Sequence, residues 1–187
     1  MKKQRNNLSI FTIIALIIIF VGPIITAYWM VNSDFNSGMA KNNYGTFIEP
    51  SFDIKEIAEK KLMKEISLKP GEWLGLLFYK GTCDKTCNED FQLLETVRSV
   101  IGRDAPRLNF KILAASNSTN REDVVEDEAS VNNLVLKLST TIPNIGRFER
   151  GLVIVDWRSR VMLFYPSLEP KGIKKDLGRL LRGSRIR

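Results

Sequence analysis

Trp73 to Ile101 reads "WLGLLFYKGTCDKTCNEDFQLLETVRSVI". Seven residues, Trp73 to Tyr79, are apolar apart from a glycine. An apolar run this short and this unbroken suits a strand buried on both faces. Lys80-Gly81-Thr82 ends it. Beyond the turn, Phe91, Leu94, Val97 and Ile101 recur at helical spacing, with polar residues between them. Asn88 suits the N-cap of that helix, with Glu89 and Asp90 in its first turn and Gly102 closing it. Between strand and helix lie Cys83 and Cys87, the only two cysteines in the chain.

The remaining segments extend the pattern. "LNFKILAAS", Leu108 to Ser116, predicts a second strand. "STNREDVVEDEASVNNLVLKLST" predicts a broken or second helix carrying Val124, Val125, Val131, Leu134 and Leu138. "GLVIVD" and "VMLFYP" predict two strands joined by a short hairpin at Trp157 to Arg160, and Ile173, Leu177 and Leu180 mark one face of a last helix that starts at Gly172. Strand, helix, strand, helix, strand, strand, helix is an α/β sandwich with a mixed sheet and helices on both faces. Upstream, Tyr44 to Ile54 reads as extended, Lys55 to Ile66 as a short helix or an excursion, and Asn32 to Asn43 as a polar linker.

The N-terminus differs in kind. No charge falls between Asn6 and Ser33, and Leu8 to Val31 is apolar enough to span a bilayer as a helix. Lys2, Lys3 and Arg5 precede it, which places residues 1–7 in the cytoplasm and everything after the span on the far side. The run is longer than a signal-peptide core, so an uncleaved anchor is the expectation. The net charge is +7. After Pro170 the tail holds Lys171, Lys174, Lys175, Arg179, Arg182, Arg185 and Arg187 against Asp176 alone. That tail is either a surface for anionic lipid or an acidic partner, or a solvated helix face. An exported domain without a nucleic-acid motif argues against nucleic acid as the partner.

Four positions on a helix bring Cys83 and Cys87 close enough for a disulfide. The same spacing lets two sulfurs converge on one Cu(I) ion. A helix N-terminus favours the reactive thiolate. A cross-link of purely structural purpose gains little from closing so small a loop. The chain has no histidine, which removes Cys–His and Ser–His–Asp catalysis and mixed Cys/His zinc sites. No phosphate-binding loop motif occurs. Asp84 and Asp156 read as cap or turn carboxylates rather than acid–base groups.

The strand "WLGLLFY", the turn "GTCDKTC", the helix after it and the closing "LVIVDWRSRVMLFYP…IKKDLGRLL" resemble the SCO/SenC group of membrane-anchored, thioredoxin-like proteins. The resemblance covers residues 70–182 and the anchor. It implies a thioredoxin-like domain over 70–187, after a linker and extension at 32–69 and a transmembrane helix at 8–31. It implies a place on the periplasmic face of a bacterial inner membrane. It also implies work on the copper site of cytochrome c oxidase by thiol–disulfide exchange or Cu(I) transfer, with a respiratory oxidase subunit or another exported cysteine-containing protein as partner. Cys83 and Cys87 match the family's motif cysteines. Its histidine ligand has no counterpart in "PNIGRFER", Pro143 to Arg150. Without it, exchange needs only the two sulfurs, set on a solvent-reachable rim, with Cys83 as the attacking thiolate. Alternatives are a general exported oxidoreductase and a non-catalytic accessory protein of a membrane complex. Pro143 stands as a candidate proline opposite the cysteines.

Overall fold

Alternating side chains in each strand serve two separate cores, one on each face of a single sheet. In the computed structural model, which describes residues 3–32, 43–119, 121–142 and 145–184, the chain divides into two units, 1–42 and 43–187. In the first, helix α1 (Lys3–Asn32) contains Ile10–Trp29, 20 residues of mean hydropathy 2.8 with no buried share. This is a candidate membrane span by length and composition. The Thr26 hydroxyl donates to the carbonyls of Gly22 and Pro23 at 3.0 Å, so a polar side chain is satisfied within the helix itself. Residues 33–42 lie outside the described residues, as do Met1 and Lys2.

The second unit holds strands β1 (Thr46–Asp53), β2 (Trp73–Cys83), β3 (Leu108–Asn117), β4 (Val124–Glu126), β5 (Arg150–Val155) and β6 (Arg160–Tyr165) in the order β1-β6-β5-β2-β3-β4. β2, β3 and β4 run parallel. β5 is antiparallel to β2, and β6 and β1 continue the antiparallel side. The mixed sheet with flanking helices is the arrangement predicted from the order of elements. Helices α3 (Lys85–Ile101) and α5 (Pro170–Gly183) cover one face, and α2 (Lys60–Glu65) and α4 (Glu128–Thr141) the other.

Period-two alternation explains the unbroken apolar runs. In β2, Trp73, Leu77 and Tyr79 join the core under α3 and α5, while Leu74, Leu76 and Phe78 join the core under α2 and α4. In β5, Leu152 and Ile154 point one way and Val153 and Val155 the other. Gly75 leaves room for the Phe110 ring from the neighbouring strand; a Cβ there would lie 2.2 Å from it. Residues 44–66 are built into this unit. Ile48 of β1, Ile54 of a one-turn 3₁₀ segment (Ile54–Glu56), its C-cap Ile57, and Leu62 of α2 are all buried in the second core.

Several boundaries differ from the sequence reading. Asn88 is not the N-cap of α3. Asp84 is, because its carboxylate accepts from the backbone N–H of Thr86 (2.9 Å) and Cys87 (3.3 Å) and starts the helix at Lys85. Val124 and Val125 belong to β4, which pairs with the sheet edge at Ile112 to Ala114. Asp127 then caps α4 through the N–H of Ser130. The last helix starts at Pro170, since proline at the first helical position loses no hydrogen bond. Asp156 is the turn residue foreseen, accepting from the N–H of Arg158 and Arg160.

Asp176 of α5 ties the entry of the chain to the sheet. Its Oδ2 accepts from the N–H of Tyr44 (2.8 Å), the N–H of Gly45 (3.0 Å) and the hydroxyl of Tyr165 (3.1 Å). Burial, and then the Asp176 carboxylate, pushes the Tyr165 phenol well above the ordinary tyrosine range. An unfolded tyrosine loses its proton near about pH 10, while folded Tyr165 keeps it. The unfolded state therefore binds fewer protons above that pH, and stability present below about pH 10 is lost as pH rises past it. Denaturation midpoints followed from pH 9 upward should fall, and fall less steeply in Tyr165→Phe, which has no proton to lose. Parallel curves for the two proteins would remove Tyr165 from the account.

Candidate functional site at the strand–helix junction

Cys83 is the last residue of β2 and Cys87 lies in the first turn of α3, with the Asp84 cap between them. The two are joined as a disulfide with Cα atoms 5.2 Å apart. Strand and helix thus meet in a covalently closed five-residue turn. Its geometry follows from the cap: the Asp84 side chain bends the chain into the helix, and the helix brings Cys87 back beside the strand end.

The pair does not sit on an exposed rim. Both residues are 0% exposed and belong to the core that includes Tyr79, Phe91 and Leu94. The expectation of a solvent-reachable pair is overturned here, and burial does not single out Cys83 as the attacking sulfur. The connection from β3 to β4 is fastened to residues flanking the pair. Ser118 donates to the Cys83 carbonyl through its hydroxyl (2.7 Å) and its N–H (3.3 Å). Arg121 donates to the Asn88 side chain and stacks its guanidinium 4.5 Å from the centre of the Phe91 ring. Asn88 and Phe91 follow Cys87 by one residue and by one helical turn. Pro143 lies outside the described residues.

The polar groups around the junction are largely engaged with one another. The cap carboxylate of Asp84 takes the helix-end donors that a thiolate would otherwise use. Lys85 pairs with Glu89 at 3.8 Å on the surface. One turn beyond Cys87, Asp90 accepts from both the Tyr79 hydroxyl and the Arg150 guanidinium. Burial, followed by the bond to Asp90, raises the Tyr79 pKa well above its usual value, so this phenol stays protonated at any physiological pH.

Sequence reasoning did not find Ser118, Arg121 or Arg150. Their contacts to the junction span 33 to 60 positions along the chain, and no local pattern encodes them. Asp90 had a local signal, its place three residues after Cys87 on one helix face.

In the disulfide form Cys83 and Cys87 offer no thiolate to a copper ion. Among the described residues no cluster of three or more His, Cys, Asp or Glu could hold a metal. The two sulfurs are bonded to each other, and a ligating sulfur must be a free thiolate.

A parallel β2–α3–β3 unit, a closing antiparallel hairpin with a last helix, and a cysteine pair where the first strand meets its helix define a thioredoxin-like domain. The chain belongs to the family described as transmembrane-like, thioredoxin-like, C-terminal domain, whose match runs over residues 73–184, from the first residue of β2 to the residue after α5. No curated protein matches the chain significantly.

Proposed function

We propose that this is a membrane-anchored thiol–disulfide exchange protein whose Cys83–Cys87 pair cycles between disulfide and dithiol. The observation that carries this reading is the disulfide itself, closed over four positions at the strand–helix junction of a thioredoxin-like domain. In the reduced form one thiolate attacks a client disulfide and a mixed disulfide forms. The second thiol then displaces the client sulfur. Two electrons and two protons pass to the client, and Cys83–Cys87 is left oxidised. An exported dithiol donor restores the starting state.

The SCO/SenC resemblance supports a narrower version. In it the domain faces the periplasm from a bacterial inner membrane, and the client is a cytochrome c oxidase subunit whose copper-site cysteines must be kept reduced. Cu(I) transfer by Cys83 and Cys87 belongs to this version and requires the reduced form. Unchanged oxidase assembly in cells carrying serine at both positions would remove this client and leave exchange with others.

Burial of both sulfurs favours a second reading, in which the disulfide is a structural cross-link of an accessory protein. The reduction potential of the full chain in lipid bilayers separates the two. Structural disulfides lie below about −300 mV, and exchange-active ones above it. A value above that line, read by trapping the thiols after equilibration in dithiol buffers, supports exchange; one below it assigns the structural role.

A further inference from the structure

The basic tail has a defined place in the fold. Helix α5 buries Ile173, Leu177 and Leu181 against the sheet. Its opposite side carries Lys171, Lys174, Lys175, Arg179 and Arg182, all exposed. The one carboxylate within the helix, Asp176, is buried and used by Tyr44, Gly45 and Tyr165. Every exposed charged residue of the helix body is therefore basic, and Glu169, its N-cap residue, is an exposed carboxylate next to it.

Beside this stripe runs an apolar groove of about 270 Å³ between α3 and α5. Leu93, Val97 and Val100 line it on the α3 side, with Val100 51% exposed. Lys171 and Lys174 line its other side. They also line the adjoining depression that continues along α5 past Arg179 to Arg182. Among the described residues no acidic one lines either hollow. A cationic rim beside an exposed apolar floor complements a ligand that is anionic at its head and apolar beneath.

The way the chain enters the domain adds a second constraint. Tyr44 packs against Gly172, where a Cβ would lie 2.5 Å from it, and the Lys175 ammonium sits 5.4 Å from the centre of the Tyr44 ring. Tyr44, near the start of this unit, is thus fastened to the start of α5. From Asn32 to Asn43 the chain can extend at most about 40 Å, at about 3.6 Å per residue. A tether of this length raises the effective concentration of the whole domain at a bilayer and leaves the choice of face to its surface chemistry.

We propose that the α3–α5 groove and its basic rim seat on an anionic phospholipid surface, with lysines and arginines on the headgroups and Val100 and Leu93 turned to the acyl boundary. The full chain in lipid nanodiscs tests this by lysine acetylation read by mass spectrometry. In phosphatidylglycerol discs, labelling of Lys171, Lys174 and Lys175 should fall about threefold or more relative to phosphatidylcholine discs, as expected for basic residues held at a charged surface. Lys60 and Lys64 of α2, on the other face of the sheet, serve as internal references and should not change. Roughly 1 M salt, where the screening length is about 3 Å, should restore labelling. Lys171→Glu with Lys174→Glu, both at exposed positions, should abolish the difference at Lys175 with an unchanged circular dichroism spectrum. Equal labelling in the two lipids overturns the proposal. So does protection that arises only when an acidic polypeptide is added, which would make the partner a protein.

Discussion

Asp176→Ala should destabilise the 43–187 unit by about 3 kcal/mol. One carboxylate oxygen accepts three hydrogen bonds inside the protein, two of them from backbone N–H groups of Tyr44 and Gly45 and one from Tyr165. Alanine leaves the Gly45 N–H and the Tyr165 hydroxyl buried, and the Tyr44 N–H part-buried, without an acceptor, and each buried loss costs roughly 1–3 kcal/mol. Part of the cost is offset, because the other oxygen, Oδ1, has no protein partner where it lies buried and its removal relieves that burden. Asp176→Asn separates the two effects. Its amide oxygen can serve the same three donors without a buried charge, so it should cost no more than about 1 kcal/mol. Urea denaturation of the two variants checks this. Equal losses would show that the negative charge, rather than its acceptor geometry, holds the first strand to the last helix.

The contrast between Asp176 and the strands shows what this sequence makes legible. Strands β2, β5 and β6 announce themselves because both faces of the sheet are buried, so their side chains need little polar alternation, while β3 alternates at its start with Asn109 and Lys111 between buried Leu108, Phe110 and Ile112. Val124 and Val125 misled because adjacent valines fit a helix face as readily as an edge strand. Only the pairing with Ile112 and Leu113 decides between them. Asp84 reads locally as a cap or turn carboxylate, which it is, but Asn88, an equally good capping residue one turn later, drew the helix start away from it. Asp176 reads locally as the lone acid of a basic helix, while its partners lie 132, 131 and 11 positions away.

The cysteine pair divides along the same line. Its position at a strand–helix junction follows from local patterns, and the disulfide from spacing. Its burial does not, because the core that takes in both sulfurs draws on residues distant in the chain, Leu152 and Tyr165 among them. A closed five-residue loop contributes only about 2 kcal/mol in the loop-entropy account, less than a long loop would. Stability alone is thus a modest reason for the bond. Access, then, is the property that decides what the pair can do.

That access should be governed by Ser118 and Arg121. If the β3–β4 connection is the cover, attack on the disulfide waits for local opening, and the observed rate scales with the open population. Ser118→Ala removes the 2.7 Å bond to the Cys83 carbonyl. Arg121→Ala removes the bond to Asn88, the contact over Phe91 and the 3.0 Å pair with Asp123. Net contributions of about 1 kcal/mol for each variant are ordinary for such contacts. Together they should speed reduction by dithiothreitol roughly 10- to 30-fold, since about 1.4 kcal/mol is tenfold. Quenched alkylation of the full chain over time gives the rate. Thermal midpoints report whether the gain comes from local opening, in which case they move far less than the rate. An unchanged rate would mean that the disulfide opens by another route. A rate gain matched by an equal loss of global stability would mean that the sulfurs are reached only by unfolding, as the structural cross-link reading requires.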